Sequence, residues 1–448
     1  MKRLVDQYLI DWKNSPYRKP LLLRGARQVG KTYAVRQLGK TFDNVVEINY
    51  EQHPTLKNVF EKDLDPVRII RDISLEIHQP IIPGETLLFF DEIQASPQAI
   101  TALRYFYEDL PAQHIIAAGS LLDFAIQQVG IPVGRVGSFY MYPMTFLEFL
   151  YACNYELIAN ALLSSSAASP LSDSVHTKLL ELLAEYLAIG GMPEVVAHWH
   201  TTRDPRACFD IHHALLDTYR QDFNKYAKNF QIPYLEVLFN AIPKQLGSKF
   251  KYSAVEGDYR KRELAPCLDL LTTAGIIHHA TKTAGNAPPI GAEADPSDFK
   301  LLFLDVGLCQ ALLGLDLKAW FLNPLQAFAN KGALVEAFVG QELLAYSYQT
   351  RKSSLFYWRR NAPSSQAEID YVIQHQEHII PIEVKNGLGT TLKSMHLFLE
   401  SHPQSPYGIR FSTQNYSVHE KIHSYPLYAV VKCAESDFNA QLLTPRSR

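Results

Sequence analysis

Eight consecutive residues, Gly25-Ala26-Arg27-Gln28-Val29-Gly30-Lys31-Thr32, fit the pattern G-x-x-x-x-G-K-[ST]. Their chemistry is that of a polyphosphate cradle. A glycine-rich turn aims backbone N–H groups at an anion, and the helix that follows adds its positive end. Lys31 reaches for β- and γ-phosphates, and Thr32 offers its hydroxyl to Mg²⁺. Further along, the apolar run Thr86–Phe90 ends in Asp91-Glu92. Asp91 suits the metal, and Glu92 suits the task of orienting the attacking water or taking its proton. Ser120 closes another apolar run, Ile115–Gly119. It either senses the γ-phosphate or caps the helix that begins at Leu121. Arg135, in Gly134-Arg135-Val136-Gly137, either lends charge to a transition state, in its own chain or a neighbour, or is a solvated loop arginine.

A second constellation lies near the C-terminus. Glu368–Ile373 and Ile379–Lys385 read as two strands of a hairpin turning about Gln376, which sets Asp370 opposite Ile382 or Glu383. Glu383 and Lys385, two apart, share a face, while Ile382 and Val384 point to the core. Glu336 projects from a predicted helix that carries Leu334, Val335, Phe338 and Val339. Charges converging beside a buried strand need a reason. A third group, Lys249, Lys251, Arg260, Lys261 and Arg262, suits nucleic-acid phosphates, but Glu256, Asp258 and Glu263 are interleaved with it. Pairing within a solvated face is the slightly favoured reading there.

These side chains need elements to hold them. Leu21-Leu22-Leu23 predicts a buried strand before the phosphate loop, and Ala34, Val35 and Leu38 a helix after it. Strands are predicted at 45–50, 86–92 and 115–120, with helices over 1–15 and 54–80. A further helix follows Ser96, its expected cap, with Pro97 in first position. Alternation of this kind predicts a parallel sheet covered on both faces. Ser164–Pro170 is small and polar and marks a boundary or insertion. Helices are expected over 177–197, interrupted at Gly190-Gly191, and through most of 208–280. Residues 284–298 read as an irregular loop, and strands return from Lys300.

The chain of 448 residues has room for about three domains. At 47% hydrophobic and 20% charged it buries a core, and a net charge of -3 confines any nucleic-acid surface to a local patch. The five cysteines are scattered, with no Cys-x-x-Cys pair, which argues against zinc or redox motifs and fits a reducing compartment. Residues 1–14 read as an amphipathic helix, and no apolar run is long enough to span a bilayer. The expectation is a cytoplasmic protein without a membrane partner.

GARQVGKT, LLFFDEIQ, IIAAGS and the later GR…YPMTFLEFL resemble a family of prokaryotic AAA-type ATPases. Members join an ATPase core to a winged-helix-like region and a C-terminal domain of unknown function. The resemblance implies an ATP site, with Mg²⁺, made by the phosphate loop, Asp91 and Glu92, and Ser120 in the sensor position. The order of elements over 235–278 resembles a winged helix, with 284–298 as an enlarged wing loop. Asp370 and Glu383-x-Lys385 resemble the metal site of the PD-(D/E)XK nuclease superfamily. That likeness implies Mg²⁺ on Asp370 and Glu383, completed by Glu336, with Lys385 activating water. The alternative is a nuclease-like fold kept for binding, with Glu383–Lys385 as a strand-face ion pair.

The expected class is thus α/β: an AAA-type P-loop core over 1–155, a helical lid or linker over 156–215, a winged-helix-like region over 216–298 and a restriction-endonuclease-like domain over 299–448. The function expected is ATP turnover coupled to binding or Mg²⁺-dependent processing of DNA or RNA. The rival is a nucleotide-driven switch with a silent nuclease-like domain. A homo-oligomer is compatible with either.

Overall fold

The computed structural model describes residues 1–132, 134–315, 317–360, 367–385 and 392–433. They form two compact units, one of Lys2–Tyr142 with Gln349–Lys352, the other of Pro143–Tyr348 with the residues from Ser353 onward.

The first unit is built on five parallel strands: β1 (Leu21–Arg24), β2 (Asn44–Asn49), β3 (Thr86–Asp91), β4 (His114–Ala118) and β5 (Gly137–Tyr140). Their order is β2-β3-β4-β1-β5. All residues of β3 and β4 are buried, as strands covered on both faces must be. Helices α1 (Leu4–Asn14), α2 (Lys31–Gly39), α3 (Pro66–Ile77), α4 (Pro97–Asp109) and α5 (Leu122–Val129) belong to the same unit. Leu22, Val46, Leu88, Phe90 and Ile115 from the sheet pack with Ile69, Ile73, Ile100, Leu103 and Phe106 from α3 and α4. Pro97 does occupy the first turn of α4, but the Ser96 side chain makes no cap bond. Register places the C-terminal ends of β1, β4 and β3 side by side, with Leu23 beside Ala118 and Phe90 beside Ala117. Whatever follows those strands shares one edge of the sheet.

The second unit is helical in its first part, with helices Asp173–Ile189, Pro193–Thr202, Pro205–Tyr226, Ile232–Ala241 and Lys261–Thr273. An eight-stranded mixed sheet follows: β6 (Ile277–Thr283), β7 (Ala294–Phe303), β8 (Leu355–Arg359), β9 (Glu368–His375), β10 (His378–Val384), β11 (Gly408–Ser412), β12 (Ser417–His419) and β13 (Ile422–Pro426). Its order is β12-β13-β11-β10-β9-β8-β6-β7. The helix Gly332–Tyr346 is buried almost throughout.

Three expected boundaries need correction. The first unit closes at Tyr142, not 155, since the helix Phe146–Ala152 belongs to the second. A cut at 215/216 would fall inside the helix Pro205–Tyr226. The cut at 298/299 falls inside β7, which already begins at Ala294, within the stretch read as an irregular loop. Before β6 stand the helices Ile232–Ala241 and Lys261–Thr273, and β6 forms a hairpin with β7. However, β6 pairs in parallel with β8, with Ala280 beside Leu355, so the hairpin is part of the larger sheet. A free hairpin edge would leave backbone donors and acceptors exposed, and β8 satisfies them.

Candidate nucleotide site and a second charged cluster

The phosphate loop leaves β1 at Gly25, whose φ of 130° and close approach to the next segment both demand glycine. A Cβ there would lie 2.1 Å from the Met141 carbonyl oxygen. Gly30, at φ 96°, opens α2. Lys31 is buried, and its Nζ donates to the carbonyls of Gly25 (2.9 Å) and Ala26 (2.7 Å) across the loop. Burial lowers its pKa to about 8, against the pull of Glu92, Asp91 and Asp123. Thr32 Oγ1 lies 3.4 Å from each carboxylate oxygen of Asp91.

Asp91 ends β3. Burial, then Glu92 and Glu47, raise its pKa to about 6, while the Glu92 N–H and Thr32 partly oppose the rise. Asn49 Nδ2, on the neighbouring strand β2, lies 3.4 Å from Asp91 Oδ2. Glu92 takes a left-handed conformation, φ 50°, and its Oε2 accepts from Gln94 Nε2 at 2.5 Å. Ser120 N and Oγ lie 3.4 and 3.5 Å from the same oxygen. Gly119 leaves the room for this, since a Cβ there would sit 1.9 Å from Gln94 Oε1. Thr32, Asp91, Glu92 and Ser120, from two strand ends and a helix start, thus meet at one edge.

Arg135 is not among them. It precedes β5, and Gly137 pairs with Leu21, the first residue of β1, so Arg135 lies at the opposite end of the strands. Its Nε binds Glu108 at 2.8 Å. Of the alternatives open for Arg135, the register therefore sets it apart from the phosphate loop of its own chain and pairs it with Glu108.

In the second unit, Glu336 and Asp370 meet around a lysine that the sequence reading passed over. Lys300 Nζ, from β7, lies 2.9 Å from Glu336 Oε1, 2.6 Å from Glu368 Oε1 and 3.9 Å from Asp370 Oδ1. The Tyr357 ring centre is 5.2 Å away. Burial and Asp370 raise the Glu336 pKa to about 8, against Lys300. Asp370 is also raised, chiefly by burial, while its Oδ2 accepts from the Val384 N–H at 2.7 Å. Glu383 is buried and paired with Lys385, and its Oε2 has no protein partner. Among the described residues, no three His, Cys, Asp or Glu side chains are arranged to hold a metal ion. The expected metal set is thus divided in the structure: Glu336 and Asp370 share Lys300, and Glu383 pairs with Lys385.

The basic group divides. Arg260 gives its backbone N–H to Glu263 as a helix-capping bond, while Glu256 pairs with Lys244, outside the group. Lys249 instead joins Arg359 and Lys282 on buried Asp298, at 2.8, 3.4 and 4.0 Å.

Comparison with known families follows the same division. Residues 17–150 match the AAA domain family. This part of the chain is similar to AAA domains. Residues 180–319 match a domain of unknown function, DUF8612, and 331–430 another, DUF4143. No curated protein matches the chain. Among solved structures, the chain is similar to a Walker-type ATPase of Pyrococcus abyssi, at 15% identity and TM-score 0.44, covering 69% of this chain and 95% of that one. It is also similar to the Aeropyrum pernix ORC1 protein in complex with DNA, at 11% identity and TM-score 0.26, covering 69% and 90%. A third is the STAND signal-transduction ATPase with a tetratricopeptide repeat sensor from Pyrococcus horikoshii, at 11% identity and TM-score 0.25, covering 77% and 48%. These likenesses are loose, and nothing about function rests on them.

The first unit, most of which matches the AAA domain family, holds the phosphate loop, Asp91, Glu92 and Ser120. Two of its site residues escaped the sequence reading. Gln94 stands two places after Glu92, and that proximity was its only signal. Arg3 had none: its Nη1 donates to the Val29 carbonyl inside the phosphate loop (2.9 Å) and its Nη2 to the Tyr142 carbonyl (3.0 Å). No helix among the described residues is long and apolar enough to cross a membrane.

Proposed function

We propose that the AAA domain hydrolyses ATP through Lys31, Thr32, Asp91 and Glu92, with Ser120 sensing the γ-phosphate. The observation that carries this is the placement of Thr32 Oγ1 3.4 Å from both Asp91 oxygens, with Glu92 next in the chain and hydrogen-bonded by Gln94. Thr32 and Asp91 form an all-oxygen pair suited to Mg²⁺, which when bound neutralises charge on the β- and γ-phosphates. Backbone N–H groups of residues 25–32 and the start of α2 bind the phosphate oxygens. Lys31 turns its ammonium from the loop carbonyls to the γ-phosphate. Glu92, fixed by Gln94, accepts a proton from the attacking water as the new O–P bond forms and the bond to the ADP oxygen breaks. ATP turnover measured in wild type and Glu92→Gln tests this reading. Turnover lost with ATP binding retained supports it, and equal turnover removes Glu92 from the role.

For the second unit we propose nucleic acid as partner, contacted through its backbone. Lys249, Lys282 and Arg359 converge on Asp298, and basic side chains gathered in one place suit phosphates. Anisotropy of labelled DNA and RNA across a salt series tests this. Lys249→Ala and Arg359→Ala should each weaken binding and flatten its salt dependence. Identical binding by both variants favours the second reading, a nucleotide-driven switch for another partner. Arg135, remote from its own nucleotide, would reach ATP only in a neighbouring copy, which makes ATP-dependent self-association part of the proposal.

A further inference from the structure

Each carboxylate expected to hold a metal in the second unit already has a cation of the chain's own. We infer that Lys300 is a resident counter-cation that takes the place of a divalent metal among Glu336, Glu368 and Asp370, leaving this unit without a metal-dependent reaction at that position. The inference stands independently of the ATPase reading.

Four observations support it. The Lys300 side chain is only 3% exposed, so its ammonium cannot satisfy itself with water. It lies within hydrogen-bonding reach of two carboxylates from different elements, at 2.9 and 2.6 Å, with Asp370 at 3.9 Å and the face of Tyr357 beside it. Its backbone is held on both flanks, by Ala280 in β6 and by a bridge to Lys249. Glu383, the remaining acid of the expected set, is held by Lys385 instead.

A Mg²⁺ or Mn²⁺ ion needs carboxylate oxygens at about 2.0–2.2 Å and open positions for water. An ammonium among the same oxygens denies both the ligands and the space, and repels the dication. Three carboxylates around one ammonium remain short of positive charge, however. Removing the ammonium while keeping the acids should therefore create a cation site where none exists.

The test is a calorimetric titration of Mn²⁺ into the nucleotide-free full chain. Wild type and Asp370→Asn should give the same isotherm, because no wild-type site depends on Asp370. Lys300→Met should gain one Mn²⁺ site, at least about tenfold tighter than anything seen in wild type, and lose it again in Lys300→Met/Asp370→Asn. The melting temperature of Lys300→Met should rise with Mn²⁺ while that of wild type does not. A wild-type Mn²⁺ site abolished by Asp370→Asn overturns the inference, as does a folded Lys300→Met protein with no new site. If Lys300→Met does not fold, the comparison of wild type with Asp370→Asn decides alone.

Discussion

Arg3 and Val29 are joined by a 2.9 Å hydrogen bond from the guanidinium to the backbone carbonyl, which ties the start of α1 to the middle of the phosphate loop. The same guanidinium holds the Tyr142 carbonyl, beyond the end of β5. One buried cation thus fixes a loop whose glycines would otherwise leave it free to move. A hydrogen bond from a charged donor is worth about 1.5–3 kcal/mol, roughly ten- to a hundred-fold in an equilibrium. Arg3→Gln should weaken ATP binding by about tenfold, with partial recovery in Arg3→Lys. Titration with a fluorescent ATP analogue measures this, and unchanged affinity in Arg3→Gln would show that the loop orders itself.

Lys31→Ala and Glu92→Gln should fail differently. The first loses the phosphate ligand and with it nucleotide binding. The second should bind ATP normally and turn over about 10²–10⁴-fold more slowly, the usual worth of a positioned base. Gln94→Ala should fall between wild type and Glu92→Gln in kcat, with KM little changed. A KM effect alone would place Gln94 in binding instead.

The pH dependence of kcat/KM reports the free enzyme, so Asp91 and Lys31 should shape it. Asp91, raised to about 6 by burial, accepts a proton below that pH and ceases to serve Mg²⁺. Lys31, lowered to about 8 by burial, loses its proton above that pH and with it the attraction for phosphate. A bell between about 6 and 8 is expected. A profile flat from about pH 5 to 9 would contradict both assignments.

Glu342 gives a stability prediction of definite sign. It is buried, its Oε1 accepts from the Phe146 N–H at 2.9 Å, and burial raises its pKa to about 8. Between about 4.3, its unfolded value, and that pH, the folded chain holds a proton that the unfolded chain has released. Its contribution to stability is therefore fully present below the window and is lost as pH rises through it. Glu342→Gln keeps an acceptor for Phe146 without the charge. Its denaturant midpoint should vary less from pH 5 to 8 than that of wild type and exceed it at pH 8. The opposite order at pH 8 would show that Glu342 is ionised and paired.

The phosphate loop was legible because its chemistry is contiguous, and β3 and β4 because strands buried on both faces are almost wholly apolar. Asp370 and Glu383 were also legible as neighbours, since a hairpin fixes its register locally. Lys300 was not. Nothing near it in the chain distinguishes Phe299-Lys300-Leu301 from any strand with one outward lysine. Only the packing of β7 in the same unit as β9 and the helix Gly332–Tyr346 turns that lysine inward. The role of Arg135 stayed open for a related reason: a loop motif carries charge but not the end of the sheet at which it will stand. The 298/299 boundary failed because the pairing of β6 with β8 links strands far apart in sequence.

Lys300 lies within the segment that matches one family of unknown function, and Glu336, Glu368 and Asp370 lie within the segment that matches another. The two segments follow one another in the chain, yet the cluster draws on both. A DUF4143 segment transplanted without β6 and β7 would carry buried acids with no cation and an unprotected edge along β8. Lineages that recombine such segments should therefore pass them on as a pair, and a lost lysine in one ought to be matched by a lost acid in the other.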